Sequence, residues 1–189
     1  MIRLIIVDDH PALRAGLSAV LRAEPGLVPL GSATSAAELE PLLARTHPDV
    51  VLLDYHMPGE DGLQICRRLK RRLPAPSVLL YSAYADGSLA IPAVLAGADG
   101  LVHKGAPAQE LYDAIRSVAR GTDVLPPVTR EQFEEASRRL DAEDLPILGM
   151  LLDGTPGAEI ASTLKLEGQS YAARVERMIA RLRVALPAA

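Results

Sequence analysis

Apolar and polar positions alternate along the first two thirds of the chain in blocks of two kinds. Short apolar runs at 4–7, at 50–53 and, behind Ser77, over 77–81 have the pattern of strands buried on both faces. A weaker run lies at 27–31 and another at 101–102. Between them come longer segments with helical period. Residues 11–23 bring Leu13, Leu17, Val20 and Leu21 to one face, and Pro11 opens the helix. Residues 35–45 begin at Ser35, with Glu38 as its capping-box partner. Residues 63–73 carry Arg67, Arg68, Lys70, Arg71 and Arg72 on an outer, solvated face. The segment before 101 makes a poor helix, because Pro92 forbids an early start or distorts its first turns. Pro107 then opens a regular helix over 108–119. Such alternation predicts βαβ units, a parallel sheet with helices on both faces.

The pattern changes after Gly121-Thr122-Asp123 and Pro126-Pro127, beyond which no strand signal recurs. A charged helix is expected over 131–140, and another from 140 to 152 that Pro146 interrupts and Asp153-Gly154 closes. Within 155–164 a short helix turns Ile160, Ala161 and Leu164 inward. A turn at 165–168 leads to a long helix over 170–184, with Tyr171, Val175, Met178, Ile179 and Leu182 on one face. A short helix, a tight turn and a longer helix follow the helix-turn-helix plan. The expected division is a sheet domain at 1–121, a linker with a helix at 122–139, and an all-helical domain at 140–189.

Composition narrows the function classes. With 49% apolar residues, 3% aromatics and no Trp, the core is built from Leu, Val, Ile and Ala. A net charge of −4 means any nucleic-acid surface must be local. Residues 129–189 hold 8 basic and 10 acidic side chains, yet from 169 to 184 Arg174, Arg177, Arg181 and Arg183 face only Glu176. That stripe can meet phosphates, with Gln169, Ser170 and Arg174 placed to reach bases and Arg177 and Arg181 along the backbone. The bland alternative is a solvated helix face on a module that binds protein or dimerises. Ala172 and Ala173 read no base edges. The single cysteine, Cys66, excludes an internal disulfide and a Cys-based zinc cluster. No signal-peptide pattern opens the chain, and no apolar stretch reaches the roughly 18 residues of a membrane span. A soluble cytoplasmic protein is expected.

Chemistry gathers at the strand ends. Leu4-Ile5-Ile6-Val7 runs into Asp8-Asp9, and Val50-Val51-Leu52-Leu53 into Asp54. Ligands of open α/β sheets bind at the carboxyl ends of strands. Three carboxylates in one pocket resist joint ionisation unless a divalent cation relieves them, and an all-oxygen site suits Mg²⁺. Ser82 and Lys104 follow two further strands. A hydroxyl and a mobile ammonium beside a metal-bound carboxylate can hold a phosphoryl group. The implied reaction is in-line attack by Asp54 on a phosphoryl donor. His56 and His103 flank the pocket as bystanders, His10 starts the first helix loop, and His47 is a loop residue.

Asp8-Asp9, Asp54-x-x-Met57-Pro58-x-x-Asp61-Gly62, Ser82 and Lys104 together resemble the receiver domain of two-component response regulators. Glu159-Ile160-Ala161-x-x-Leu164, followed by Val175, Ile179 and Leu182, is similar to the LuxR-type (NarL/FixJ) effector domain, with a divergent recognition helix. The resemblance implies a flavodoxin-like (βα)5 receiver with a parallel sheet, plus a small all-α helix-turn-helix domain. It implies that a sensor histidine kinase phosphorylates Asp54, that Asp9 ligates Mg²⁺ directly and Asp8 through water, and that the His56 backbone carbonyl is a further ligand. Ser82 and Lys104 would then bind the phosphoryl group. The family's aromatic switch residue is Leu101 here, so its readout by ring rotation is lost. The protein is then a stoichiometric phosphoacceptor with possible self-dephosphorylation, not an enzyme, and binds promoter DNA as a homodimer. The rival is a receiver coupled to a degenerate helix-turn-helix that binds a protein partner or dimerises. A Mg²⁺-dependent phosphohydrolase is disfavoured, since no substrate pocket or added general acid accompanies the acids.

Overall fold

The computed structural model describes residues 1–57, 59–85 and 87–183. Pro58 of the expected turn and Val184 at the expected helix end lie outside them. The strands are β1 (Ile2–Val7), β2 (Leu27–Ala33), β3 (Val50–Leu53), β4 (Ser77–Ser82) and β5 (Gly100–His103). The helices are α1 (Pro11–Ala23), α2 (Ala36–Thr46), α3 (Gly62–Lys70), α4 (Gly87–Ala96), α5 (Ala108–Ala119), α6 (Arg130–Arg139), α7 (Leu145–Leu152), α8 (Gly157–Thr163) and α9 (Gly168–Leu182). By contact the described residues divide into two compact units, those within 1–85 and 97–125, and those within 87–96 and 126–183.

In the first unit a five-stranded parallel sheet has the order β2-β1-β3-β4-β5. Its core on one face joins Leu4, Ile6, Leu52, Leu79 and Val102 to Leu17 and Leu21 of α1 and Leu111 and Ile115 of α5. Helices α2 and α3 contact β2 and β4. The period of α1 selects Leu17 and Leu21, four residues apart, while Val20 is 43% exposed, against its expected inward place. The edge strand β2 runs two residues beyond its expected end. Its register against β1 shifts between Leu4 and Ile5, opposite Pro29, which has no N–H to donate and is tolerated at an edge. Ser35 caps α2 by accepting the Glu38 N–H, but the Glu38 carboxylate reaches the Thr34 N–H rather than closing a capping box on Ser35. Helix α3 ends at Lys70, three residues short of the expected end, and Leu73 is left 98% exposed before Pro74. Its basic face is partly ion-paired: Arg68 with Glu40 and Glu60, Arg72 with Glu40, and Lys70 with Asp99. Cys66 is fully buried and its thiol is pushed up to about 12 by that burial, which leaves it inert.

The second unit departs most from expectation. Helix α4 is regular with Pro92 inside it, not a late or poor helix. Leu89, Ala90, Ile91, Pro92, Ala93, Leu95 and Ala96 are all buried, and burial on nearly every side outweighs one missing backbone bond. It packs on α6, α7 and α9, so it belongs by contact with the helical module. Helix α6, expected in a linker, packs on α9 and α4 within the same unit. Pro146 does not interrupt α7; it occupies the first turn, where no N–H is required, after a 3₁₀ turn at Ala142–Asp144. Helix α9 starts at Gly168, two residues before the expected start, and buries Val175, Met178, Ile179 and Leu182.

The turn after β3 is held by a close backbone approach. Asp61 caps α3 through the Gln64 N–H, and the Gly62 N–H donates to the Tyr55 carbonyl at 2.8 Å. A Cβ at Gly62 would stand 2.2 Å from the Asp54 carbonyl oxygen and 2.8 Å from Tyr55 Cα, both backbone atoms that cannot yield. Gly62→Ala is therefore expected to cost about 2 kcal/mol or more, read as a lowered urea midpoint. An unchanged midpoint would contradict the close approach.

Candidate functional site

The sheet order reverses direction between β1 and β3, and a crevice opens at the carboxyl ends of strands on either side of such a point. Val7 lies opposite Leu53 in the register, and the Asp54 N–H donates to the Val7 carbonyl at 2.8 Å. The residues that leave these two strands, Asp8 and Asp54, therefore emerge side by side. On the far side Ser82 pairs with His103, and the Lys104 N–H donates to the Ser82 carbonyl at 2.9 Å. Strand register alone thus delivers acids from two strands and a lysine from a third to one rim.

Lys104 Nζ lies 2.7 Å from Asp8 Oδ2 and 2.7 Å from Asp54 Oδ2. The two carboxylates are almost fully buried, with 2% and 3% side-chain exposure. Burial pushes the Asp54 carboxyl above its ordinary value, and the hydrogen bond from Lys104 only partly offsets it; the Asp8 charge pushes the same way. Burial pulls the Lys104 ammonium down, yet its bonds to Asp54 and Asp8 outweigh this and its pKa is raised. The asymmetry is physical: the Lys104 ammonium gains from two anions, while Asp54 has only a share of one ammonium. Asp8 is further fixed by the His10 N–H, which donates to its Oδ1 at 2.8 Å, and its carbonyl accepts from Arg14 Nη1 at 2.7 Å. The His56 N–H donates to Asp54 Oδ1 at 3.3 Å.

Asp9 completes the acidic set. Its Oδ1 is shielded from solvent and makes no hydrogen bond, although His10 Nδ1 stands 2.8 Å away. One ligand atom from each of Asp8, Asp9, His10 and Asp54 lies within 4.8 Å of the others. Oxygen donors, an excess of negative charge and an unsatisfied buried oxygen are what a hard divalent cation would complete.

Ser82 is fully buried and its Oγ accepts the Tyr84 N–H at 3.0 Å. Leu101 is buried on β5. The ring beside the lysine comes from β4 instead: Tyr81 is buried in the sheet core and its hydroxyl donates to the Lys104 carbonyl at 3.1 Å. His56 is exposed, and His103 is turned from the acids, with Nε2 2.9 Å from the Ala83 carbonyl. Sequence reasoning missed the Tyr81 bond and the turn of the His10 ring towards the acids. The adjacency Asp8-Asp9-His10 was the available signal for the second.

In the helical unit Gln169, Ser170 and Arg177 are exposed on α9. Arg174 instead pairs with Glu143 at 3.0 Å and Asp144 at 3.4 Å, and donates to the Glu143 carbonyl at 3.2 Å. Arg181 pairs with Asp141 at 2.7 Å and holds its carboxyl below the ordinary value. The stripe that faces only Glu176 along the helix therefore faces three more acids across the fold, from the turn before α7. Sequence spacing within one helix could not reveal partners roughly thirty to forty residues away.

The response regulator receiver domain model matches residues 4–116. The DNA-binding transcriptional activator DevR/DosR of Mycobacterium tuberculosis is 30% identical, over 96% of this chain and 88% of that protein. The transcriptional regulatory protein LiaR of Bacillus subtilis is 29% identical, over 97% of this chain and 92% of that one. Among solved structures, a two-component response regulator of the LuxR family from Aurantimonas sp. superposes with a TM-score of 0.64 at 30% identity, covering 72% of this chain and 99% of that one.

The raised Asp54 carboxyl has a consequence for stability. A group whose pKa rises on folding contributes fully below its unfolded value, near 3.8, and that contribution is lost as pH climbs through the folded value. At neutral pH, Asp54→Asn is therefore expected to raise the urea midpoint of the metal-free protein, with the gain shrinking towards acid pH. A lower midpoint at neutral pH would show that the carboxylate is a net stabiliser.

Proposed function

The chain belongs to the two-component response regulators of the LuxR family, and on that premise we propose that Asp54 accepts a phosphoryl group from a sensor histidine kinase and that the helical unit carries the signal to promoter DNA. The observation that carries the first half is the bridge from Lys104 Nζ to two buried carboxylates, 2.7 Å each. An Asp54 oxygen attacks the phosphorus in line, the P–N bond of the donor phosphohistidine breaks, and an acyl phosphate forms as the histidine leaves. Lys104 is released from Asp54 as that carboxylate is consumed and follows the charge onto the phosphoryl oxygens. The Ser82 hydroxyl, buried at the same rim, donates to another. Asp9 and Asp54 would hold Mg²⁺ with the His56 carbonyl, and Asp8 through water; the ion supplies neutralisation of the phosphoryl charge. Slow self-dephosphorylation would follow from water reaching the acyl phosphate beside the exposed His56.

For the output, Gln169, Ser170 and Arg177 are the exposed groups on α9 able to meet DNA, and a homodimer would pair two such helices on half-sites. The relatives DevR/DosR and LiaR, a DNA-binding activator and a transcriptional regulator, support this reading. A second reading keeps the receiver and gives α9 a protein partner. It is favoured by the pairing of Arg174 with Glu143 and Asp144 and of Arg181 with Asp141, since phosphate contacts would have to break those pairs.

Acetyl phosphate with Mg²⁺ should shift the wild type on a phosphate-affinity gel, and Asp54→Asn should abolish the shift; a persistent shift would remove Asp54 from its role. Fluorescence anisotropy with genomic promoter fragments across a salt series separates the two outputs. On the DNA reading Arg177→Ala lowers affinity at every sequence and reduces the salt slope by about 1. Arg174→Ala should chiefly lower thermal stability, because it strands the buried Asp144. Salt-independent binding, or an Arg177 variant identical to wild type, would favour the protein partner.

A further inference from the structure

The ladder between β4 and β5 closes where Ser82 pairs with His103, and its last rung is the Lys104 N–H on the Ser82 carbonyl at 2.9 Å. Past that rung, side chains take up the next backbone groups. The Tyr84 N–H donates to Ser82 Oγ at 3.0 Å, and the Lys104 carbonyl accepts from the Tyr81 hydroxyl at 3.1 Å. His103 takes one group from beyond each strand. Its Nε2 stands 2.9 Å from the Ala83 carbonyl oxygen, and its Nδ1 2.9 Å from the Gly105 nitrogen. A carbonyl only accepts and a backbone N–H only donates, so the ring is the neutral tautomer with its proton on Nε2. Gly105 gives the ring its room, since a Cβ there would stand 3.0 Å from Nδ1. The two residues that the ring joins are the immediate successors of Ser82 and Lys104.

From this bridge we propose that His103 is a positioning residue for phosphoryl transfer, one that fixes the spacing between the Ser82 hydroxyl and the Lys104 ammonium. The ring sits at the exposed end of β5, faces away from the acids and acts through the backbone it joins. Ser82 is fully buried and Lys104 reaches across to Asp8 and Asp54, so each is aimed by the segment that follows its own strand. A hydroxyl and an ammonium that meet two oxygens of one phosphoryl group at once gain from a fixed separation, and misplacement of either costs rate. The acids leave β1 and β3, and the bridge reaches them only through Lys104. The proposal rests on Asp54 as the phosphoryl acceptor, and names what aligns the two groups that receive the phosphoryl charge.

The test follows labelling of the full chain by acetyl phosphate with Mg²⁺ on a phosphate-affinity gel, and measures Mg²⁺ affinity by calorimetry. The variants are His103→Ala and His103→Gln, each checked for an unchanged melting curve. Should His103→Ala melt early, His103→Leu, which fills the space without either bond, takes its place. His103→Ala is expected to slow labelling about tenfold while Mg²⁺ affinity holds. His103→Gln, whose amide carries one donor and one acceptor, should recover most of the rate. In a Ser82→Ala background the loss from His103→Ala should shrink, because the bridge then has one group fewer to align. Labelling of His103→Ala at the wild-type rate overturns the role and leaves Asp54 as the acceptor. A loss of Mg²⁺ affinity in step with rate, a Gln variant as slow as Ala, or losses that simply add in the double variant overturn it too. Absence of labelling in wild type overturns the Asp54 reading as well.

Discussion

One ammonium stands between two buried carboxylates, with a third alongside, and that imbalance of charge governs the first unit. Lys104 reaches Asp8 and Asp54 at equal distance, so neither anion owns it. Burial of the pair costs solvation that a single shared cation does not fully return, which is why the Asp54 carboxyl is pushed upward. The pocket is thereby short of positive charge and hospitable to a dication. On the proposed function, a phosphoryl group arriving with such an ion would meet Lys104 already placed between the two acids.

Much of this was legible in the chain because period-2 and period-3.6 patterns have different physical consequences. Four apolar residues ending in Asp54, and four more ending in Asp8-Asp9, specified both the central strands and the rim they feed. Lys104 and Ser82 followed from the same logic. What stayed hidden were contacts made across the fold. Nothing in the spacing of residues 169–184 announces Asp141, Glu143 and Asp144 as partners of Arg174 and Arg181. Pro92 misled for a different reason: propensity treats proline as a breaker, whereas a helix with almost every residue buried tolerates one. Ring direction was equally invisible, so His10 passed for a loop residue and Tyr81 for an ordinary strand residue.

The helical unit has its own constraint. Its long helix buries Val175, Met178, Ile179 and Leu182, and two of its arginines, Arg174 and Arg181, are spent on the acidic turn before α7. An arginine pair of this kind fixes helix against turn, but it withholds charge from any polyanion. What remains for recognition is the exposed first turn at Gln169 and Ser170, with Arg177 one face along. Affinity for DNA would then come from few phosphate contacts per copy, which makes pairing of two copies the natural route to a useful complex. Helix α4, which follows Ser82 in sequence, packs on α6, α7 and α9 within this same unit.

The central claim is that Asp54, alone among the clustered acids, becomes the acyl phosphate. Borohydride converts an aspartyl phosphate to homoserine, and mass spectrometry of the treated peptides locates it. After incubation with acetyl phosphate and Mg²⁺, homoserine at position 54 and at neither 8 nor 9 is the predicted result. Homoserine at 8 or 9, or none in a protein that remains folded, would contradict the account.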